Sequence, residues 1–281
     1  MHRLADAARD SIATLLLPTL LLACGGGTPA PEPIYVLGGG AGPLRYVMES
    51  ENSTLITIPG GGEQKVESTS AATFTLEYGQ PSPTGVPFTV VFESFELTGG
   101  GPVDPGAFLN QPIRGVVDSA GSVHVTEAPE FEAPVPGLSG EALGQMIGPL
   151  AVPLPPGGAP TEEAWPVTRT TRAGGGLEGE STFEGTASFV PGTEWEGRPA
   201  RTIVAEGAVS QSASGTPPGA PGEVEVNSSG TARTTYAWDP ARGVVLHVSQ
   251  ETAAEGDLAV VAQGMVFPVT SASSSTFTLT E

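Results

Sequence analysis

Residues 73–78, TFTLEY, carry the pattern that decides the fold. The large apolar residues Phe74, Leu76 and Tyr78 alternate with threonine and glutamate. Because successive side chains of a β-strand point to opposite faces of a sheet, this period of two gives one apolar face for a core and one polar face for solvent. The stretch therefore predicts a half-buried β-strand.

The same alternation recurs along the chain, from Leu44 to the TFTLT at 276–280. About a dozen such segments are separated by clusters of Gly, Pro, Ser and Asp, which is the arrangement expected of an antiparallel sheet protein. We therefore expect an all-β fold, mainly antiparallel, built as a curved half-barrel or as a sandwich.

One of these segments changes phase. Val90 and Phe92 share a face, but the next large apolar residue, Phe95, is one step out of register with them. An extra residue in one strand would restore the register, so the sequence predicts a β-bulge near Glu93–Ser94.

A single segment, around residues 139–148, has a helical period instead. Leu143, Met146, Ile147 and Leu150 recur at the spacing of one helix face. We expect a short mid-chain helix that either covers the core with this apolar stripe or forms a lid over a cavity.

The N-terminal residues indicate export and lipid attachment. An apolar run from Ile12 to Ala23 is shorter than the roughly 20 residues that span a bilayer, and it is typical of a signal peptide. The end of this run and the cysteine after it, Leu21-Leu22-Ala23-Cys24, resemble the lipobox of bacterial lipoproteins. The resemblance implies that residues 1–23 are removed as a signal peptide and that the sulfur of Cys24 carries a diacylglycerol.

Residues 24–43 are rich in Gly and Pro and are expected to form a tether, which leaves residues 44–281 as a single β domain. This arrangement is similar to that of bacterial lipoproteins with a half-barrel sheet, including lipid carriers that hold acyl chains between sheet and helix. The resemblance implies a lipid-anchored protein of the cell envelope. Gly25, rather than Asp, after the cysteine is compatible with passage to the outer membrane of a Gram-negative bacterium.

The charge of the chain limits its partners. The net charge is −20, and residues 1–23 hold two basic and two acidic side chains, so the remaining chain has the same charge. Phosphate backbones would repel such a chain, which argues against nucleic-acid binding. The expected partners are the membrane, through Cys24, and a lipid or a protein.

No pattern in the sequence predicts a catalytic, cofactor or metal site. His124 and His247 both lie in strand-like segments, but neither has a second ligand at the short spacing that zinc sites favour. Acidic pairs of the form E-x-E are more suggestive, because two such carboxylates share a strand face about 6.6 Å apart, within the range of inverting glycosidases. The pattern occurs at Glu49/Glu51, Glu130/Glu132, Glu178/Glu180, Glu194/Glu196 and Glu223/Glu225. Five occurrences are typical of solvated sheet faces, since a catalytic pair is needed once.

We therefore expect a non-enzymatic, lipid-anchored envelope protein whose β domain binds a hydrophobic ligand or a protein partner. A structural or surface-interaction lipoprotein without a ligand cavity is the alternative. A glycan-acting hydrolase that uses paired glutamates is a more remote one.

Overall fold

The structure is a computed structural model. It describes residues 37–38, 42–99, 106, 108–129, 140–158, 161–173, 177–192, 194–216 and 222–280. Residues 1–23, Cys24 and most of the expected tether lie outside these ranges, so the signal peptide, the lipid attachment and the domain bounds stay predictions.

Strands dominate the described residues. They are β1 (Leu44–Ile58), β2 (Gly62–Tyr78), β3 (Val86–Thr98), β4 (Pro112–Val117), β5 (Val123–Glu127), β6 (Trp165–Arg172), β7 (Leu177–Val190), β8 (Glu194–Trp195), β9 (Arg198–Pro199), β10 (Arg201–Gly215), β11 (Val224–Asp239), β12 (Val244–Val260) and β13 (Met265–Leu279). One α-helix, α1 (Gly140–Met146), lies between β5 and β6 in the chain, and short 3₁₀ turns cover Gly148–Leu150, Pro156–Gly158 and Val261–Gln263. None of the helices in the described ranges is long and apolar enough to span a bilayer.

Eleven strands form one antiparallel sheet in the order β5-β4-β3-β2-β1-β13-β12-β11-β10-β7-β6. The sheet consists of two meanders, which meet where β1 pairs with β13 from Tyr46↔Leu279 to Ile56↔Val269. The first meander is β1–β5, and the second is β6–β13 without β8 and β9, which form a separate two-stranded hairpin. It is curved into a nearly closed, barrel-like shape. The prediction of a mainly antiparallel all-β fold is confirmed, and of the two architectures the curved sheet is found.

Helix α1 lies beside the edge strands of this sheet. It packs on β5, where Gly144 is so close to Val125 that a Cβ would overlap the valine side chain. The Gln145 side-chain amide donates a hydrogen bond to the backbone carbonyl of Arg172, at the end of β6. One short helix therefore contacts both edges of the sheet.

The hydrophobic core fills one end of the curved sheet, on its inner face. Phe74 is fully buried there, with ring centroids 5.7 Å from Tyr46, 5.4 Å from Phe92 and 6.5 Å from Phe277. From α1 and the turn after it, Leu143, Ile147 and Leu150 enter the same core. The apolar stripe predicted for the helix is therefore confirmed.

The predicted β-bulge is present in β3. Thr73 pairs with Ser94 and Phe74 pairs with Phe92, which leaves Glu93 as the extra residue. Phe95 is consequently returned to the inner face, where it is buried. The Glu93 carboxylate accepts hydrogen bonds from Thr75 and Arg45, and these lower the pKa of Glu93.

The strands are longer than the sequence pattern predicts. Apolar alternation in β1 covers Leu44–Glu49, yet the strand continues to Ile58, and β10 likewise continues to Gly215. These extensions contain mainly Ser, Thr, Gly and Glu on both faces, so no apolar period marks them. They extend beyond the core as a distal half of the sheet, held by backbone pairing.

Close contact between neighbouring strands marks the inner face of β7 and β10–β12. A Cβ at Gly230 would overlap the backbone carbonyl oxygen of Ala253 and would lie 2.6 Å from the Cα of Ala254. The other glycines of this face with comparable overlap are Gly179, Gly185, Gly207 and Gly256. Glycine in a strand interior commonly marks a tight bend or a close backbone approach, and here it accompanies the strong curvature of the sheet.

Candidate functional site

An inner cavity of about 350 Å³ lies where the core gives way to the distal half of the sheet. Its floor includes Tyr236 and Ala205, which are buried, and its wall includes Phe183 of β7. Gln145, from α1, and Pro149 close one side. The volume is at the lower end of the range of ligand pockets, and it corresponds to about a dozen non-hydrogen atoms.

The lining of the inner cavity combines apolar and polar groups. Val123, Phe183 and Val209 supply apolar surface, whereas hydroxyl and amide side chains of the neighbouring strands supply hydrogen-bonding groups. Such a mixture suits a ligand with an apolar body and a polar end, because both parts find partners.

Arg169 is the one charged side chain among the described residues that line the inner cavity. Its guanidinium donates hydrogen bonds through Nη1 to the Tyr236 hydroxyl at 3.4 Å and through Nη2 to the backbone carbonyl of Ala151. Its Nε is buried and has no hydrogen-bond partner. No described carboxylate lies within ion-pair distance of it, so the guanidinium has only neutral acceptors.

The position of Arg169 follows from the phase of β6. Trp165 and Val167 are buried on the inner face, and the period of two places Arg169 next on that face. From the β4–β5 turn, the backbone at Gly121 lies against the guanidinium, so that a Cβ there would be 2.9 Å from Nη2. Asp118 fixes this turn, because its Oδ1 accepts hydrogen bonds from the backbone N–H groups of Ala120 and Ser122, each at 2.9 Å.

A larger groove of about 1200 Å³ lies on the outer face of the same strands. It is open to solvent, and its charged lining residues are Glu51, Glu67, Glu206, Glu251 and Arg233. Arg233 forms an ion pair with Glu206. The groove is a solvated face, and the inner cavity is the more enclosed of the two.

The E-x-E pairs of the described residues are exposed. Glu49 and Glu51 lie on the outer face of β1, as do Glu178 and Glu180 on β7, while the pairs at 194/196 and 223/225 are at strand ends. Glu130 and Glu132 lie outside the described residues. This exposure is expected of carboxylates on a solvated sheet face, because water stabilises their charge as well as a partner would.

The two histidines are far apart in the sheet, with β4, β3, β2, β1 and β13 between their strands. His124 is exposed, and its Nε2 lies 3.0 Å from Oδ2 of Asp118. Burial raises the pKa of Asp118, but the hydrogen bonds from His124 and from the turn outweigh it and lower this pKa. Among the described residues, no three His, Cys, Asp or Glu side chains form a group that would hold a metal ion.

His247 is half-buried on the outer face beneath the β8–β9 hairpin. Its ring stacks on Trp195, with centroids 4.3 Å apart and planes at 9°, and its Nδ1 lies 3.0 Å from the Thr278 hydroxyl. Burial lowers the pKa of His247, and the Glu196 carboxylate opposes that effect. The histidine therefore helps to hold the hairpin on the sheet as a neutral ring.

We expect acid to destabilise the protein through His247. A histidine in the unfolded chain takes up a proton near pH 6.5, whereas the folded chain takes it up at lower pH. The free energy of unfolding therefore falls as the pH decreases below about 6.5, until the pH reaches the pKa of the folded state. Urea unfolding between pH 8 and pH 5 measures this loss, and His247→Phe should flatten the curve. An unchanged pH dependence in the variant would contradict the prediction.

Sequence reasoning did not identify Arg169 as a site residue. The signal for it was the phase set by Trp165 and Val167, which directs the arginine inward. Its juxtaposition with Tyr236 depends on the curvature of the sheet, which brings β6 and β11 together across their shared inner face.

Comparison with known proteins does not show a family for this chain. No protein-family model matches the sequence, and no curated protein matches it. Among solved structures, the chain is similar to one described as lipid-protein interactions in lipovitellin, at 13% sequence identity and a TM-score of 0.40. The match covers 88% of this chain, which spans only 25% of the lipovitellin chain.

Proposed function

We propose that this protein is a lipid-anchored component of the bacterial cell envelope, and that its β domain binds a small amphiphile without catalysing a reaction on it. The inner cavity is the observation that carries the ligand part of the proposal. The anchoring part rests on the resemblance of Leu21-Leu22-Ala23-Cys24 to a lipobox.

The position of the cavity supports a ligand rather than a further part of the core. The buried side chains around Phe74 fill the neighbouring end of the sheet, but around Arg169 the inner face carries short Ser, Thr and Ala side chains that leave space. Cores are normally packed without voids of this size. A cavity with mixed lining and one charged group is typical of a binding site.

Bound ligand can be sought directly. Full-length protein purified from membranes under native conditions, then extracted with organic solvent, should release an amphiphile that mass spectrometry detects at about one molecule per chain. The lipid on Cys24 does not interfere, because it is covalently attached.

Two neighbouring alanines provide a test variant and its control. Ala254 lines the inner cavity, whereas Ala253 lies exposed on the outer face of the same strand. Ala254→Phe should fill the cavity and abolish the extracted ligand, while Ala253→Phe should retain it. Equal amounts of amphiphile from both variants would place the lipid elsewhere and refute a ligand in the cavity.

Cys24→Ser tests the anchor. Each buried methylene contributes about 0.8 kcal/mol to membrane binding, so long acyl chains hold the protein far more strongly than a surface contact of so acidic a chain. We expect wild-type protein to incorporate labelled fatty acid and to appear in the membrane fraction at its processed mass. The variant should incorporate no label and keep its signal peptide, and Gly26→Ala serves as the control. A variant that is labelled and processed like the wild type would disprove lipid attachment at Cys24.

A further inference from the structure

We infer that Arg169 recognises an anionic oxygen group, a carboxylate or a phosphate, on the ligand of the inner cavity. This inference rests on the proposed ligand-binding function and specifies the ligand as an anionic amphiphile. The observation behind it is a partly buried arginine that lines the cavity and has no described carboxylate within ion-pair distance.

The surroundings of Arg169 leave part of its hydrogen-bonding capacity unused. A guanidinium has five N–H donors, and burying it without a counter-charge is unfavourable. The Tyr236 hydroxyl and the Ala151 carbonyl are its acceptors in the structure, and neither carries a charge. A ligand oxyanion would supply both the missing charge and the missing acceptors.

Among the other described lysine and arginine side chains, four form ion pairs with glutamates, and the four that do not, Arg172, Arg198, Arg201 and Arg242, are exposed to water. Arg45 pairs with Glu93, and Arg114 pairs with Glu127, all on the outer surface. In a chain of net charge −20, carboxylates are abundant, yet the described lining of the cavity contains none. The inner cavity is therefore a locally basic site inside an acidic protein.

Geometry favours a forked contact with the ligand. The guanidinium is planar, so it matches the two oxygens of a carboxylate or a phosphate, and such charge-assisted hydrogen bonds are stronger than neutral ones. The Gly121 backbone on one side and the Tyr236 hydroxyl on the other restrict its movement. An anionic headgroup with an apolar chain of about eight carbons fits the volume of the cavity.

Calorimetric titration with three probes of equal chain length tests the inference. Octanoate, octyl phosphate and octan-1-ol are titrated into full-length protein in phosphatidylcholine nanodiscs, and titrations of empty nanodiscs are subtracted. We expect octanoate, octyl phosphate or both to bind at least tenfold more tightly than octan-1-ol, which corresponds to about 1.4 kcal/mol. The net charge of the protein opposes this preference, so long-range attraction does not explain it.

Arg169→Met should remove the preference, since it keeps an apolar stem and loses the charge. Arg169→Lys should restore part of it, because it returns the charge without the fork. Arg172→Met is the matched control, as Arg172 lies exposed on the other face of the same strand. Circular dichroism and thermal unfolding establish that each variant is folded.

The outcomes separate the two proposals. Tighter binding of one or both anionic probes, lost in Arg169→Met and kept in Arg172→Met, supports the inference, and the tighter of the two identifies the group. Equal binding of octanoate, octyl phosphate and octan-1-ol by the wild type, or a preference that survives in Arg169→Met, overturns the inference and leaves the ligand-binding function standing. Binding of no probe by the wild type removes the ligand-binding function and the inference with it.

Discussion

Replacing Phe74 with alanine is expected to lower the free energy of unfolding by about 4 kcal/mol. Phe74 is fully buried in the core, where its ring lies within 6.5 Å of three other aromatic rings, from β1, β3 and β13. The variant loses the transfer free energy of the ring and leaves a cavity that rigid strands on both sides cannot close. A decrease of roughly 10 °C in melting temperature should accompany the loss.

Val66→Ala is the control for this variant. Val66 lies on the same strand and on the same inner face, but 40% of its surface is exposed because it is beyond the core. Urea unfolding should give a loss below about 1 kcal/mol for Val66→Ala. Similar losses for both variants would show that the aromatic cluster does not stabilise the sheet.

Replacing Gly230 with alanine is expected to destabilise the protein by about 3 kcal/mol, although only one methyl group is added. The added Cβ would overlap the carbonyl oxygen of Ala253 on the neighbouring strand β12. Backbone atoms in the middle of a sheet cannot rotate away as a side chain can, so the pairing of β11 with β12 must distort. The variant should therefore lose its β-sheet signal in circular dichroism at a lower temperature than the wild type.

Gly148→Ala provides the comparison for Gly230→Ala. A Cβ at Gly148 would meet no atom within 4 Å, so this change should leave the melting temperature within about 2 °C of the wild type. If Gly230→Ala were equally harmless, the curvature of the sheet at this point would be more relaxed than the structure indicates.

The fold class could be predicted because the half of each strand that touches the core has a clear apolar period. TFTLEY, the change of phase at Phe95 and the helical spacing of Leu143 and Ile147 each correspond to an element of the structure. The distal extensions, such as Ser50–Ile58, could not be predicted, since their stability comes from backbone pairing rather than from burial. Apolar alternation also could not predict that the strands form one curved sheet, because the strands of a sandwich have the same period of two.

The site was harder to predict than the fold. The candidate site residues in the sequence were the repeated glutamates and two histidines. In the described part of the chain, these residues lie at the surface or under a hairpin. Arg169 lies in WPVTRTTR, where threonines on both sides hide the phase of the strand. Its relation to Tyr236 depends on strands that are distant in sequence, so it required the folded chain.

The pairing of β1 with β13 has a consequence for how the molecule assembles. Each meander grows by hairpins between strands that are close in sequence, so each can form early, whereas the contact that unites them joins nearly opposite ends of the described chain. Contacts of such large sequence separation form slowly because a long loop must close first. During folding, the central edges of the two halves, β1 and β13, therefore remain unpaired until these two strands meet.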